Sequence, residues 1–105
     1  VDTHYINNFK KDIVLINSSR GQVVKTTDLL NGLEKGKIKA ACLDVLEYED
    51  TSFEYTKKLT DIPEFKELSA MENVIMSPHI AGWTVESKFK LADILADKII
   101  AQIKP

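Results

Sequence analysis

The stretch Lys10-Lys11-Asp12-Ile13-Val14-Leu15-Ile16-Asn17-Ser18-Ser19-Arg20-Gly21 decides the fold. Ile13 to Ile16 is a continuous apolar run rich in β-branched side chains. Charged residues precede it, and a polar, glycine-ended turn follows. A short run closed in this way reads as a strand, Ile13 to Asn17, covered on both faces. Downstream, Thr26 to Lys35 reads as a helix. Thr26 is its expected N-cap, Asp28 suits its positive end and Lys35 its negative end. Leu29, Leu30 and Leu33 form its apolar stripe, and Gly36 stands where a left-handed residue would stop it. Gly32 inside it costs about 1 kcal/mol against alanine.

Ile38 to Val45 reads as a second strand. Asp61 and Glu64 look like a capping pair, and Pro63 falls in the first turn of a short helix over Ile62 to Ala70. Phe53, Tyr55, Leu59, Phe65 and Leu68 give this middle segment apolar groups that need packing partners. Val74 to Met76 is a third strand, and Pro78 prevents a helix from continuing through it. Thr84 then caps a long helix reaching Ile103. Its apolar residues Phe89, Ala92, Leu95, Ile99 and Ile103 are flanked by Leu91, Ile94, Ala96 and Ile100, so it calls for partners on more than one side. Alternation of strand and helix implies right-handed crossovers and a parallel sheet, an α/β fold.

A chain of 105 residues has room for one small domain. Its 14 basic and 16 acidic residues give a net charge of -2, which argues against a nucleic-acid partner. No apolar run approaches the roughly 18 residues of a membrane span, so no membrane partner is expected. The single cysteine, Cys42, excludes an internal disulfide framework and a multi-cysteine zinc cluster, and it points to a cytoplasmic location. Two histidines, His4 and His79, are too few for a His-based metal site, and no metal is expected. The sequence begins with Val1 and shows no signal-peptide pattern. It reads as a processed start or as a piece of a longer chain.

Ligands of an open parallel sheet bind beyond the carboxyl ends of its strands. Asn17 and Arg20 follow the first strand, Asp44, Glu47, Glu49 and Asp50 the second, and His79 the third. Arginine can hold a carboxylate by a two-point fork. Histidine can carry a proton near neutral pH, and a carboxylate beside it favours the imidazolium needed by a general acid. Together they suit reduction of a 2-oxo acid. Each residue also has a plain structural role open to it. Arg20 could brace its loop, Asp44 could cap a turn, and Glu47 and Asp50 read better as a solvated acidic turn.

Three blocks then resemble one family. Leu15-Ile16-Asn17-Ser18-Ser19-Arg20-Gly21, then Gly36-Lys37-Ile38 leading to Ala41-Cys42-Leu43-Asp44-Val45, and then Ser77-Pro78-His79-Ile80-Ala81-Gly82 are similar to the D-isomer-specific 2-hydroxyacid dehydrogenases. The resemblance implies a Rossmann-like doubly wound parallel sheet, of which this chain holds a three-stranded part with flanking helices and a long C-terminal helix. It implies residues 1–105 as a partial NAD-binding domain, with about 84–105 as the helix returning toward an absent substrate domain.

The resemblance further implies Arg20 as the substrate-carboxylate arginine, His79 as the acid/base and Glu49 as the glutamate paired with it. It implies Asn17, Ser18, Ser19, Arg20, Asp44, His79 and Gly82 at the nicotinamide end. Asp50 departs from the family's usual proline, Ala40 from a common glycine and Lys25 from a common acidic residue. NAD is the cofactor the resemblance implies; the family's G-x-G turn and the acidic residue beyond it are missing from this sequence, so NADP stays open. The implied partners are a small 2-hydroxy or 2-oxo acid and a second copy in a homo-oligomer. A nicotinamide-responsive regulator or corepressor on the same fold is the alternative function.

Overall fold

The structure is a computed structural model that describes residues 1–48 and 61–103. A short helix, α1 (Thr3–Asn7), precedes strand β1 (Ile13–Asn17). A 3-10 turn at Gly21–Val23 leads to α2 (Thr26–Glu34) and β2 (Ile38–Leu43). After the middle segment come α3 (Pro63–Ala70), β3 (Val74–Met76) and α4 (Val85–Ile103). All three strands are parallel, in the order β1-β2-β3. Leu15 lies opposite Ala41, and Ala41 lies opposite Val74. The expected α/β architecture and long final helix are both present.

Sequential strand order governs how the sheet is covered. Two crossovers of the same hand, stepping the same way across the sheet, put their helices on the same face. Accordingly α2 and α3 touch each other and pack on one side, and α1 packs against α2. The core there joins Ile6, Leu29, Leu30, Leu33, Ile38, Leu43 and Leu68, with Phe65 and Val74 at its margin. The expected two-sided burial of β1 does not hold. Leu15 and Asn17 point into the core, while Val14 and Ile16 are 59% and 72% exposed on the opposite face. Ile75 continues that outer face from β3. No residue of α4 is buried, so its broad apolar surface lies open among the described residues.

Local signals explain the element ends. Gly36 has φ 70, a left-handed conformation that costs glycine nothing, and its N–H returns to the Leu33 carbonyl. Gly32 lets α2 settle on β2, since a Cβ there would stand 2.8 Å from the Ile38 Cδ1. The Thr84 hydroxyl accepts the Ser87 N–H at 3.0 Å and caps α4 as expected. Two capping expectations change. Lys25, not Thr26, is the N-cap of α2, and Ile62 takes that place in α3 with no side-chain bond from Asp61. Asp28 has a second use, because its carboxylate accepts the Thr3 N–H at 2.8 Å and ties α1 to α2. That backbone donor holds the Asp28 carboxyl below its ordinary value. Phe53, Tyr55 and Leu59 lie outside the described residues.

Candidate active site

The carboxyl ends of the three strands are stitched together by backbone hydrogen bonds. The Asp44 N–H donates to the Asn17 carbonyl at 2.9 Å, joining the ends of β1 and β2. The Ser77 N–H donates to the Leu43 carbonyl at 3.0 Å, and the His79 N–H to the Asp44 carbonyl at 2.9 Å. These bonds bring the residues after all three strands to one edge.

Asn17 is buried, and its side chain shapes the turn that carries Arg20. Its Nδ2 donates to the Arg20 carbonyl at 3.0 Å, and its Oδ1 accepts the Ser19 N–H at 3.2 Å. Side-chain bonding of this kind is why asparagine favours turns. Ser18, Ser19 and Arg20 are exposed. The Arg20 Nη1 donates to the Ser19 carbonyl at 2.7 Å. Arg20 also lines a cleft together with Pro78, His79 and Trp83. His79 is half-buried and has φ 55, in the left-handed region where few non-glycine residues lie. Gly82 is exposed, and no atom stands within 4 Å of where its Cβ would be.

Asp44 is 6% exposed. Its Oδ1 accepts the Ser77 hydroxyl and the Ile80 N–H, and its Oδ2 accepts the Ala81 N–H at 2.9 Å. Burial pushes the Asp44 carboxyl up. Donors from Ser77, Ala81 and Ile80, with the charge on His79, outweigh burial and hold it below the ordinary aspartate value. Glu49, the expected partner of His79, lies outside the described residues, as does Asp50.

Four residues given no role at this edge by the sequence also shape it. Glu47 is half-buried rather than a solvated turn residue, and its Oε2 accepts the Thr26 N–H at 2.7 Å at the start of α2. Gly21 is buried against the segment after β2. A Cβ there would stand 1.7 Å from the Leu46 carbonyl oxygen. Ser77 donates to Asp44, and Trp83, 77% exposed, forms a wall of the cleft. The advance signal for Gly21 is its place beside Arg20 in the first family block, and for Ser77 its place before Pro78 in the third. Among the described residues no group of three or more acidic, histidine or cysteine side chains could hold a metal ion. None of the described helices is long and apolar enough to cross a membrane.

Residues 1–81 match the family model described as the D-isomer specific 2-hydroxyacid dehydrogenase, NAD binding domain. The chain is 34% identical over 104 residues to a glyoxylate reductase of Thermofilum pendens, covering 99% of this chain and 27% of that protein. It is 44% identical over 82 residues to a D-specific alpha-keto acid dehydrogenase of Enterococcus faecalis, covering 75% of this chain and 25% of the relative.

Among solved structures, D-lactate dehydrogenase with NAD+ from Lactobacillus jensenii superposes with a TM-score of 0.70 at 39% identity. It matches over 94% of this chain and 31% of its own. The NAD-complexed D-isomer specific 2-hydroxyacid dehydrogenase of Lactobacillus delbrueckii ssp. bulgaricus gives a TM-score of 0.70 at 34% identity. There the match covers 100% of this chain and 34% of that one. The chain therefore spans about a third or less of these relatives.

Proposed function

This chain belongs to the D-isomer specific 2-hydroxyacid dehydrogenase family, and from that premise we propose that it forms part of an NAD-dependent oxidoreductase. The proposed reaction interconverts a small 2-oxo acid and its D-2-hydroxy acid. One observation carries this reading: Arg20 and His79 line the same cleft at the carboxyl edge of a parallel sheet.

In the proposed roles, the Arg20 guanidinium holds the substrate carboxylate at two points and so orients the neighbouring carbonyl. His79 gives a proton to the carbonyl oxygen during reduction and takes it back during oxidation. Glu49 is the proposed carboxylate that favours the charged form of His79. Trp83 gives the cleft an aromatic wall beside these two groups. The chain also suits a nicotinamide at this edge. Ser18 and Ser19 are exposed on the turn after β1, and Gly82 leaves open space beside the His79 turn. When bound, NAD supplies or accepts the hydride. Asn17, Ser18, Ser19, Asp44 and Gly82 are the proposed surroundings of that ring. Residues 84–105 are proposed as the connection toward a substrate domain outside this sequence.

The test uses the longer protein that carries this segment. His79→Ala should lower kcat by on the order of 100-fold or more, because general acid catalysis is lost. Affinity for the reduced nicotinamide should change little. Near-normal turnover would remove His79 from its role. Arg20→Lys keeps the charge but loses the fork, and should raise the KM for the 2-oxo acid by roughly tenfold or more. Normal KM in that variant would show that Arg20 is not the clamp.

The 105-residue chain by itself is expected to be catalytically silent and to self-associate. Its sequence has no G-x-G turn, and among the described residues β1 and β3 both lie at sheet edges. Light scattering, alongside a reduced-nicotinamide oxidation assay with several 2-oxo acids, checks both points. A stable monomer that turns over substrate would overturn them.

A further inference from the structure

We infer that Asp44 and Ser77 form a positioning pair for His79, the buried carboxylate gathering the turn after β3 into the one conformation that presents the imidazole beside Arg20. Backbone donors across this turn converge on the end of β2. Pro78 has no N–H, and each of the other four residues from 77 to 81 has an N–H bond there. Ser77 donates to the Leu43 carbonyl and His79 to the Asp44 carbonyl. Ile80 and Ala81 donate to opposite oxygens of the Asp44 carboxylate. The Ser77 hydroxyl supplies the remaining donor, to the same oxygen as Ile80.

This concentration of bonds accounts for the φ of 55 at His79. A left-handed backbone at a non-glycine residue persists only where its surroundings over-determine it. Asp44 provides those surroundings on both sides of His79, through Ser77 before it and Ile80 and Ala81 after it. The main chain of Asp44 also donates to the Asn17 carbonyl, at the root of the turn bearing Arg20. One residue thus fixes the His79 turn and ties it to the Arg20 turn. An ionised carboxylate has about four acceptor positions, and three are taken here. The principal duty of Asp44 is therefore to the protein's own backbone, which distinguishes it from a residue acting mainly by direct contact with the cofactor.

The kinetic consequence rests on the function proposed above, whereas the structural one does not. The experiment therefore has two readouts in the full-length protein. Asp44→Asn keeps the side chain's size but can turn an amide NH2 toward N–H donors. Exchange of the Ile80 and Ala81 amides should accelerate by roughly tenfold to a hundredfold, as loss of bonds to a charged acceptor implies. The kcat should fall on the order of 100-fold, the usual cost of a slightly misplaced catalytic group. The KM for the reduced nicotinamide should change by a much smaller factor than kcat.

Ser77→Ala should shift both readouts in the same direction by less, and Ser77→Thr should restore them. If Asp44→Asn fails to fold, the two serine variants decide the question. Unchanged amide exchange in the folded variants would overturn the inference. So would a raised nicotinamide KM with kcat preserved, the pattern of a direct cofactor contact. Faster exchange in a protein whose turnover does not depend on His79 would uphold the positioning pair and reject the proposed function.

Discussion

The two faces of the sheet are built from equally apolar strands, yet among the described residues only one is covered. On the inner face Leu15, Ile38, Ala41 and Leu43 meet Leu29, Leu30 and Leu33 of α2 and Leu68 of α3. On the outer face Val14, Ile16 and Ile75 are exposed, as is the whole apolar surface of α4. Strand order accounts for this difference without any appeal to residue type. Both crossovers advance in one direction, so both helices fall on one side. The candidate site lies at the carboxyl edge between the two faces. Hydrogen bonds among three strand ends hold it there, so it does not require an outer layer.

The largest expected effect falls on that edge. Gly21→Ala puts a Cβ 1.7 Å from the Leu46 carbonyl oxygen and 2.1 Å from its carbon. Both atoms belong to the backbone, so no side-chain rotation relieves the clash. The turn after β1 must separate from the segment after β2. The variant should lose more than about 4 kcal/mol or fail to fold, a cost reserved for backbone clashes and similar faults. Urea unfolding of the chain measures it. A loss below about 1 kcal/mol would mean that the two segments do not depend on this close approach.

Leu29→Ala comes next and reads the strength of the inner face. Leu29 is 1% exposed and belongs to the core between α2 and the sheet. Removing it should cost about 2–5 kcal/mol, the lost transfer energy together with the cavity left behind. A cost under about 1 kcal/mol in the urea midpoint would show that α2 is loosely docked, and the contrast between the faces would shrink.

Much of this was legible in the sequence because it is local. Gly36 needed only its own backbone to stop α2, and the bond from Thr84 to Ser87 spans three residues. The strand cores and the edge position of Arg20 and His79 followed from alternation and from the family blocks. The failures share a physical cause. Glu47 reads as a solvated turn residue because its partner, the Thr26 N–H, lies 21 residues away. Gly21 reads locally as a turn glycine, and the backbone that needs it small, at Leu46, lies 25 residues on. Ser77 acts on Asp44 across 33 residues. The continuous run at Ile13–Ile16 recorded the apolar character of both faces, but it could not say which elements cover them.

The smallest expected effect on stability is the most direct test of the contrast. Ile16 is 72% exposed on the outer face of the edge strand β1, two residues from Val14. Replacing it with serine removes little buried surface from the isolated chain and leaves no cavity. Its unfolding free energy should therefore change by less than about 0.5 kcal/mol, as for other exposed positions. Its association should change far more. Apolar surface that none of the described elements covers favours contact between copies, and a hydroxyl placed on it weakens that contact. Light scattering over a concentration series should show Ile16→Ser shifted toward the monomer while Leu29→Ala is not. If Ile16→Ser instead destabilises the chain by the 2–5 kcal/mol expected at Leu29, the outer face is buried in solution. The difference between the two faces would then belong to a single copy of the chain and not to its assembled form.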